Sequence, residues 1–438
     1  MTQPPSAPKT TLRERFAVWN QFNRNIRLIL GVTVLLGFTF EGGLFSVLFN
    51  LYLIRLGYDT AFIGFINGIG PLAFTLSTFP VGLLSRRWDN KRLFLLGMVV
   101  ATIGFISIPL MEFLPGQWQQ TGLLLGMAVF FAGLSPYFII MPSFIMSNTN
   151  GDVHNQVFAL EGAVFALSAF FGSLIAGVLP AMIAPLLGVT LDHPAPFRYP
   201  LLFAGLIFVL CVGLITRTTN EVFREEDKAE AAGEETEERK TAVFPKALYG
   251  FLIVIILIRF FQTSGYAIVA TFYNVYFDTE LLVSTSMIGF IAAAGRLLGA
   301  GGALLSPWLI RRYSAKTAMI FVGFASAITI LPLAWSTFWP VAGLGYMGLL
   351  VASRMRFSIF PVYVMNRTPA KFRAWITSIQ ELIIGGSFTI FSLAGGYLIG
   401  WYGYQSIFLL GAILVAIGTC VLWFYRNTAV RKKLAVAD

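Results

Sequence analysis

Seven charged residues stand inside long apolar runs of this sequence. They are three glutamates and four arginines: Glu41, Glu161, Arg259, Arg296, Arg354, Arg356 and Glu381. A carboxylate in such a run can take up and release a proton, and a guanidinium can bind an anion or pair with a carboxylate on another helix. Each residue therefore has two interpretations: an ion pair that holds helices together, or a site for a proton or a ligand.

The composition of the chain indicates what surrounds the apolar runs that carry these charges. Of the 438 residues, 57% are hydrophobic and 12% are charged, and the mean hydropathy is +0.75. Soluble domains average about 25% charged residues. Apolar runs of about 18 residues or more recur along the chain, and each can cross about 30 Å of hydrocarbon. Because lipid offers no partner to unpaired backbone groups, the sequence predicts an all-α integral membrane protein.

Polar residues divide the chain into twelve predicted spans, six on each side of a charged segment. Spans 1 to 12 cover residues 28–54, 61–85, 93–114, 121–146, 157–183, 199–216, 247–277, 285–310, 317–337, 339–364, 374–400 and 404–425. The predicted organisation is a tail (1–27), a six-helix bundle (28–216), a solvated linker (217–246), a second six-helix bundle (247–425) and a tail (426–438).

Basic residues predict the orientation. If both termini are cytoplasmic, the cytoplasmic segments hold 25 Lys and Arg residues and the outer loops hold two, Arg55 and Arg198. This bias predicts cytoplasmic termini in a plasma membrane, the inner membrane in a bacterium. The net charge of +10 is spread over short loops and tails. We therefore expect it to face the lipid bilayer, with no nucleic acid as partner.

The two halves of the chain are copies of each other. "IGFI" at 63–66 recurs at 288–291, and Arg86-Arg87 with Lys91 recurs as Arg311-Arg312 with Lys316. "MPSFIMSNT" (141–149) aligns with "FPVYVMNRT" (360–368). Parallel six-helix halves are a transporter architecture, with the binding site between the halves near mid-membrane.

The loop between spans 2 and 3, "GLLSRRWDNKR" (82–92), resembles the G-x-L-x-D-R-x-G-R-K signature of the major facilitator superfamily. Arg86 stands where the family's acid sits, and Asp89 where its second glycine sits. The resemblance covers essentially the whole chain and implies the fold of that family. It also implies that Arg86, Arg87 and Asp89 belong to a cytoplasmic latch between the halves, with Asp89 in place of the missing acid.

The resemblance further implies that spans 1, 4, 7 and 10 line a central cavity, which assigns roles to the polar residues. The predicted substrate-binding residues are Arg259, Gln262, Tyr266, Arg354, Asn50 and Asn274. The predicted proton-coupling residues are Glu41 and Glu381. The predicted interdomain or gating residues are Glu161, Arg296, Arg356, Arg86, Arg87 and Asp89. Residues 354 and 356 lie on opposite faces of a helix, and we favour Arg354 for the cavity.

Two ion pairs are compatible with the depths of these residues. Glu381 could pair with Arg354 or Arg356, and Glu161 could face Arg296 across the halves. Glu41 has no charged residue within several turns of its own helix, which makes it the better proton site.

A repeated motif stands near the outer ends of spans 1 and 7. Asn50 and Tyr52 in "FNLY" match Asn274 and Tyr276 in "YNVY". One interpretation is a gate in which the two asparagines bond across the cavity. The interpretation favoured by the sequence is an asparagine that caps or bends the helix end, followed by a tyrosine of the interfacial aromatic belt.

The predicted function is secondary active transport of a small solute by alternating access, coupled to protons, with efflux and an anionic or polar solute slightly favoured. No nucleotide-binding loop, no cysteine pairing and no metal-ligand spacing occurs in the sequence. We expect a monomer without cofactor or metal, and not an enzyme. The alternatives are a flippase for lipids or lipid-linked sugars on the same fold, and a non-transporting membrane sensor.

Overall fold

The computed structural model describes residues 22–85, 88–149, 152–219 and 246–425. Within those ranges all regular secondary structure is helical. The α-helices are Arg24–Thr39, Leu44–Arg55, Thr60–Leu84, Asn90–Leu110, Gly116–Ser147, Asp152–Leu186, Ala195–Thr216, Lys246–Thr279, Thr285–Tyr313, Ala315–Trp335, Trp339–Met365 and Ala370–Phe424. The first two form span 1, and a short 3-10 helix, Met111–Phe113, follows span 3.

The last helical stretch contains two spans. Gly403 interrupts Ala370–Phe424 with a φ of 75° and a ψ of 172°, a backbone conformation that favours glycine. Spans 11 and 12 therefore meet at Gly403, close to the predicted boundary. The fold is the predicted one of twelve membrane-spanning helices in two bundles, with the N-terminal half in spans 1–6 and the C-terminal half in spans 7–12.

Span 1 is not the continuous helix that its hydropathy predicts. The helix stops at Thr39 and resumes at Leu44, with Glu41 in the break. Gly42 has a φ of 89°, which a residue with a Cβ rarely adopts. A broken helix deep in a membrane protein exposes backbone groups that need partners, and such breaks mark binding sites in transporters.

Serine side chains supply the partners at this break. The Gly42 amide donates to Ser46 Oγ over 2.7 Å, and the Ser46 hydroxyl donates to the Phe40 carbonyl over 3.3 Å. Ser173 of span 5 donates its hydroxyl to the Gly42 carbonyl. Span 5 thus holds the broken segment in place, and Glu41 is carried on a fixed backbone.

The repeated basic loops anchor the last helix of each half. Lys91 donates to the Thr218 carbonyl just beyond span 6, and Lys316 donates to the Tyr425 carbonyl just beyond span 12 over 2.8 Å. A cation at a helix C-terminus satisfies carbonyls that have no partner in the helix. Asp89 lies 3.5 Å from Arg92 in an exposed ion pair within its own loop. Arg86 and Arg87 lie outside the described residues.

The halves pack together along two matched seams of small residues. In one seam Gly64 of span 2 packs against Ser392 and Gly396 of span 11, where a Cβ on Gly64 would lie 2.9 Å from the Gly396 Cα. In the other, Gly289 of span 8 packs against Ser173 and Gly177 of span 5. We call these contacts the glycine seams.

Hydrogen bonds reinforce both seams at equivalent places. Thr60 donates to the Gly396 carbonyl over 3.1 Å, and Ser286 donates to the Gly177 carbonyl over 3.0 Å. Backbones approach this closely only where side chains are small. Both seams lie toward the side of the membrane opposite the one on which span 1 begins and span 12 ends. We call these the far side and the terminal side.

Candidate functional site

The two repeated asparagines bond to each other's helices across the halves. Asn50 Nδ2 donates to the Thr271 carbonyl over 2.7 Å, and Asn274 Nδ2 donates to the Val47 carbonyl over 3.1 Å. The geometry is reciprocal: each side-chain amide donates to a carbonyl of the other helix, three residues before the asparagine of that helix. Asn50 Nδ2 also lies 3.2 Å from Asn274 Oδ1, and Asn50 is only 6% exposed. This reciprocal pair closes the far side of the molecule.

For this motif, the predicted helix-end cap and the predicted place in the interfacial belt are both wrong. Asn50 lies inside the helix Leu44–Arg55 and caps nothing. Tyr52 and Tyr276 are buried and not in an interfacial belt. The Tyr52 hydroxyl donates to Glu112 over 3.0 Å, and the Tyr276 hydroxyl donates to the Ser336 carbonyl over 3.1 Å. Each tyrosine braces its own half, and each asparagine joins the halves.

An ion pair that the sequence analysis missed lies beside the asparagines. Arg55 of the N-terminal half meets Asp278 of the C-terminal half in a bidentate contact, with nitrogen–oxygen distances of 2.6 and 2.8 Å. The two side chains are 15% and 9% exposed. The sequence contains a signal for this pair: a positive charge, Arg55, follows the first copy of the repeated motif, and a negative charge, Asp278, follows the second. We call this pair, together with Asn50 and Asn274, the far-side seal.

We expect breaking the Arg55–Asp278 pair to open the far side. Arg55→Asp or Asp278→Arg alone places like charges together, whereas the double swap restores the attraction. Charge pairs with this geometry couple by about 1.5 kcal/mol or more. The readout is labelling of Val47→Cys from the far side by an impermeant maleimide, with Cys211 and Cys420 replaced by serine. We expect about tenfold faster labelling in each single variant and near-normal labelling in the swap.

The N-terminal half offers a matched control pair. Arg198 and Glu112 lie 2.9 Å apart with similar exposure, but both belong to one half. Reversing their charges should lower the melting temperature without speeding the labelling of Val47→Cys. Equal labelling in the Arg55–Asp278 single variants and the wild type would show that this pair does not hold the far side closed.

On the terminal side the halves diverge. The seam between spans 2 and 11 continues as far as Thr75 and Gly385, where a Cβ on Gly385 would overlap the Thr75 hydroxyl. One turn further along, Phe79 of span 2 is 74% exposed and Glu381 of span 11 is exposed. Glu41 and Arg354 also keep exposed side chains well inside their helices, although the halves are joined on the far side. We interpret this pattern as a cleft between the halves that is closed on the far side and open toward the terminal side.

Glu41 faces arginines of the other half across this cleft. Its carboxylate lies 3.9 Å from the Arg354 guanidinium, and the side chains are 55% and 43% exposed. The Arg296 guanidinium packs directly on Gly42, so that any Cβ there would overlap it. Arg296 and Glu41 interact electrostatically. The break in span 1 thus presents one carboxylate to two guanidinium groups of the C-terminal half.

The pair predicted between Arg296 and Glu161 does not form among the described residues. Arg296 instead interacts with Tyr273 and Tyr346, whose rings stack with centroids 4.2 Å apart. Glu161 is half-buried, and Tyr137 is near it. The rotation of spans 5 and 8 about their axes decides this difference, and depth along the helix carries no information about rotation.

A second group of charges surrounds Arg259 in span 7. Its guanidinium carbon lies 4.8 Å from the centre of the Phe357 ring and 4.9 Å from the centre of the Phe360 ring. Arg356 lies within electrostatic range of Arg259 and is only 2% exposed. Glu381 interacts with Arg259, and neither predicted pair, with Arg354 or with Arg356, forms in the described part of the chain.

The remaining predicted residues lie between these groups. Tyr266 packs against Phe357 and Phe388 with ring centres 6.3 and 6.0 Å away, and it interacts with both Arg296 and Arg356. Tyr266 therefore connects the Glu41 group with the Arg259 group. Gln262 is buried and its amide lies 3.4 Å from the Thr419 hydroxyl of span 12, so it packs within its own half.

Several buried donors in this region have no hydrogen-bond partner among the described residues. They are Arg259 Nε, Arg296 Nε, Arg356 Nη1 and Gln380 Nε2. Leaving a buried polar group unpaired costs about 1–3 kcal/mol, and more for a charged one. All four belong to the C-terminal half. The described residues contain no group of three His, Cys, Asp or Glu side chains suited to a metal ion.

Comparison with known proteins establishes the family. The family model described as "Major Facilitator Superfamily" matches residues 2–173 and again residues 173–374. The chain belongs to the major facilitator superfamily. None of the curated protein sequences compared with the chain matches it.

Solved structures of transporters share the fold. The chain is similar to a D-xylose-proton symporter (TM-score 0.72, 14% identity, covering 93% of this chain and 99% of the other). It is also similar to the nucleoside transporter NupG (0.68, 15%, 92% and 100%). A third is a bacterial homolog to the human lysosomal transporter Spinster, inward-facing and unoccupied (0.71, 13%, 97% and 99%). At these identities the likeness shows the fold alone.

Proposed function

We propose that this protein is a secondary active transporter that moves a small polar or anionic solute by alternating access, coupled to protons. One observation carries the proposal: charged residues from both halves meet in a cleft that is sealed on the far side and open toward the terminal side. If the terminal side is cytoplasmic, as the basic loops indicate, this is an inward-facing state. The proposed carrier is a monomer and not an enzyme.

Glu41 is the proposed proton site. Its carboxylate belongs to the N-terminal half and faces Arg354 and Arg296 of the C-terminal half. While ionised it attracts the other half across the cleft, and neutralisation by a proton removes that attraction. Proton binding is therefore coupled to the relative position of the halves.

Reconstituted vesicles test the function. We expect a pH gradient to drive accumulation of at least one member of a panel of radiolabelled carboxylates, phosphate esters, nucleosides and pentoses, and an uncoupler to abolish it. The sign of the gradient that drives accumulation, in vesicles of known protein orientation, assigns export or import. Solute movement that ignores the pH gradient would contradict proton coupling, and no movement of any member would contradict transport of these solute classes.

Exposed residues on spans 2 and 11 favour a second candidate, a lipid flippase. One turn beyond the Thr75–Gly385 contact, Phe79 and Glu381 are exposed, and a lipid headgroup could reach the cleft sideways between them. Fluorescent phospholipids in the same vesicles distinguish the candidates. Dithionite quenches only the fluorescent lipids in the outer leaflet. If lipids of the inner leaflet also become quenched, and only in vesicles that contain the protein, the result would favour the flippase.

A further inference from the structure

Arg259 and Arg356 are buried within electrostatic range of each other, and Glu381 is the carboxylate that acts on Arg259. Arg259 is 7% exposed and Arg356 is 2% exposed. Arg259 Nε and Arg356 Nη1 have no hydrogen-bond partner among the described residues, and neither guanidinium forms an ion pair within 4.0 Å there. A buried charge needs a partner, and these two repel each other.

Two aromatic rings pack on the Arg259 guanidinium, while its Nε has no hydrogen-bond partner among the described residues. Phe357 and Phe360 lie against it at 4.8 and 4.9 Å. Arg259 Nε and Arg356 Nη1 therefore remain as donors for a ligand. Planar donors of this kind match the two oxygens of a carboxylate.

We propose that Arg259 and Arg356 form a subsite for the carboxylate of a small organic monoanion. The inference rests on the proposed transport function, because the occupant is taken to be the transported solute. Phe357 lies against Arg259, and Tyr266 packs on Phe357 and Phe388; these half-exposed rings provide apolar surface for the rest of the molecule. An aromatic or branched carboxylate therefore fits better than acetate.

Charge balance selects a monoanion. Two guanidinium groups and the Glu381 carboxylate leave one net positive charge, which a monoanion neutralises. A dianion such as sulfate would leave an excess negative charge in a site of low dielectric. Glu381 also competes with the ligand for Arg259. Its removal should therefore strengthen anion binding, while removal of either arginine should weaken it.

Benzoate is the probe, with benzamide as its neutral isostere and sulfate as the dianion. We expect benzoate to raise the melting temperature of the purified protein in detergent, and benzamide and sulfate to leave it unchanged. In Arg259→Gln and Arg356→Gln the benzoate dissociation constant should rise about tenfold or more, and in Glu381→Gln it should fall. Arg27→Gln, an exposed arginine at the start of span 1, should behave as the wild type.

The stability of the unliganded protein separates a binding role from a structural one. Because Arg356 is buried without a partner among the described residues, Arg356→Gln should raise the melting temperature when no benzoate is present. A structural role predicts the opposite sign. Arg356→Lys keeps the charge but not the planar edge, so it should fold and still lose benzoate affinity.

Several results would overturn the subsite: equal effects of benzoate and benzamide, no effect of benzoate, or unchanged affinity in both arginine variants. Exchange measurements in vesicles distinguish failure of the subsite from failure of the proposed transport function. Benzoate that binds but is never exchanged leaves the subsite in place and contradicts transport through it. Proton-driven exchange of a neutral solute that survives Arg259→Gln and Arg356→Gln would leave proton-coupled transport in place and contradict a role of the subsite in binding the transported solute.

Discussion

Gly289→Val and Gly396→Val should prevent the far side from closing while leaving both bundles folded. A Cβ on Gly289 would lie 2.6 Å from the Gly177 Cα, and one on Gly396 would lie 3.0 Å from the Ala61 Cα. These neighbours are backbone atoms of the other half, which cannot move aside within a packed helix. Each added side chain therefore opposes the contact between the halves.

The expected effect is large because the clash exists only when the far side is closed and not when it is open. Overpacking costs about 1–3 kcal/mol per site, which changes the ratio of closed to open far side by about 5- to 150-fold. We expect transport to stop in the double variant. Far-side labelling of Val47→Cys should accelerate by a similar factor, since Val47 is buried and its carbonyl accepts the Asn274 hydrogen bond across the halves.

The same helices offer matched controls. Nothing lies within 4 Å of a Cβ built on Gly301 in span 8 or on Gly386 in span 11. Gly301→Val and Gly386→Val add the same side chain to the same helices and should transport normally. If the seam and control variants behave alike, helix distortion and not seam closure accounts for the loss.

Glu41→Gln should separate solute movement from proton movement. Glutamine keeps the size of the side chain but cannot carry the negative charge that faces Arg354 and Arg296. We expect downhill exchange to persist at a rate that no longer depends on pH, and pH-driven accumulation to disappear. A coupling free energy of about 1–3 kcal/mol corresponds to a 5- to 150-fold loss of gradient-driven transport.

Exchange and accumulation measured in the same vesicles check this expectation. Glu280→Gln removes an exposed carboxylate from the far-side end of span 7 and serves as the control. A Glu41→Gln protein that still concentrates solute against its gradient would rule out Glu41 as the coupling residue. Glu381 would then be the next carboxylate to replace.

Local pattern alone determined the twelve spans, the two copied halves and the set of intramembrane charges. Hydropathy depends on runs of neighbouring residues, and the repeat depends on matches at a nearly constant offset. The position of Gly403 between spans 11 and 12 followed from polar punctuation in the same way. Such features need no knowledge of which helix packs against which.

The partners of the charged residues depended on the tertiary structure. The sequence placed Arg354 and Glu381 at similar depth, but depth does not specify the rotation of a helix about its axis. Rotation and packing bring Arg354 to Glu41 and bring Glu381 to Arg259. An error in rotation moves a side chain to another neighbour without changing any pattern in the sequence.

The break at Glu41 and the far-side seal illustrate the same limit. The Gly42–Gly43 pair was visible, but hydropathy runs on through it, and the break persists because Ser46 and Ser173 satisfy its backbone groups. The repeat placed Asn50 and Asn274 at equivalent positions. Only contact between the halves, with each amide on the other helix's carbonyl, shows that the pair seals the far side. Sequence determined what is repeated, and packing across the pseudo-twofold axis decided what the repeated residues touch.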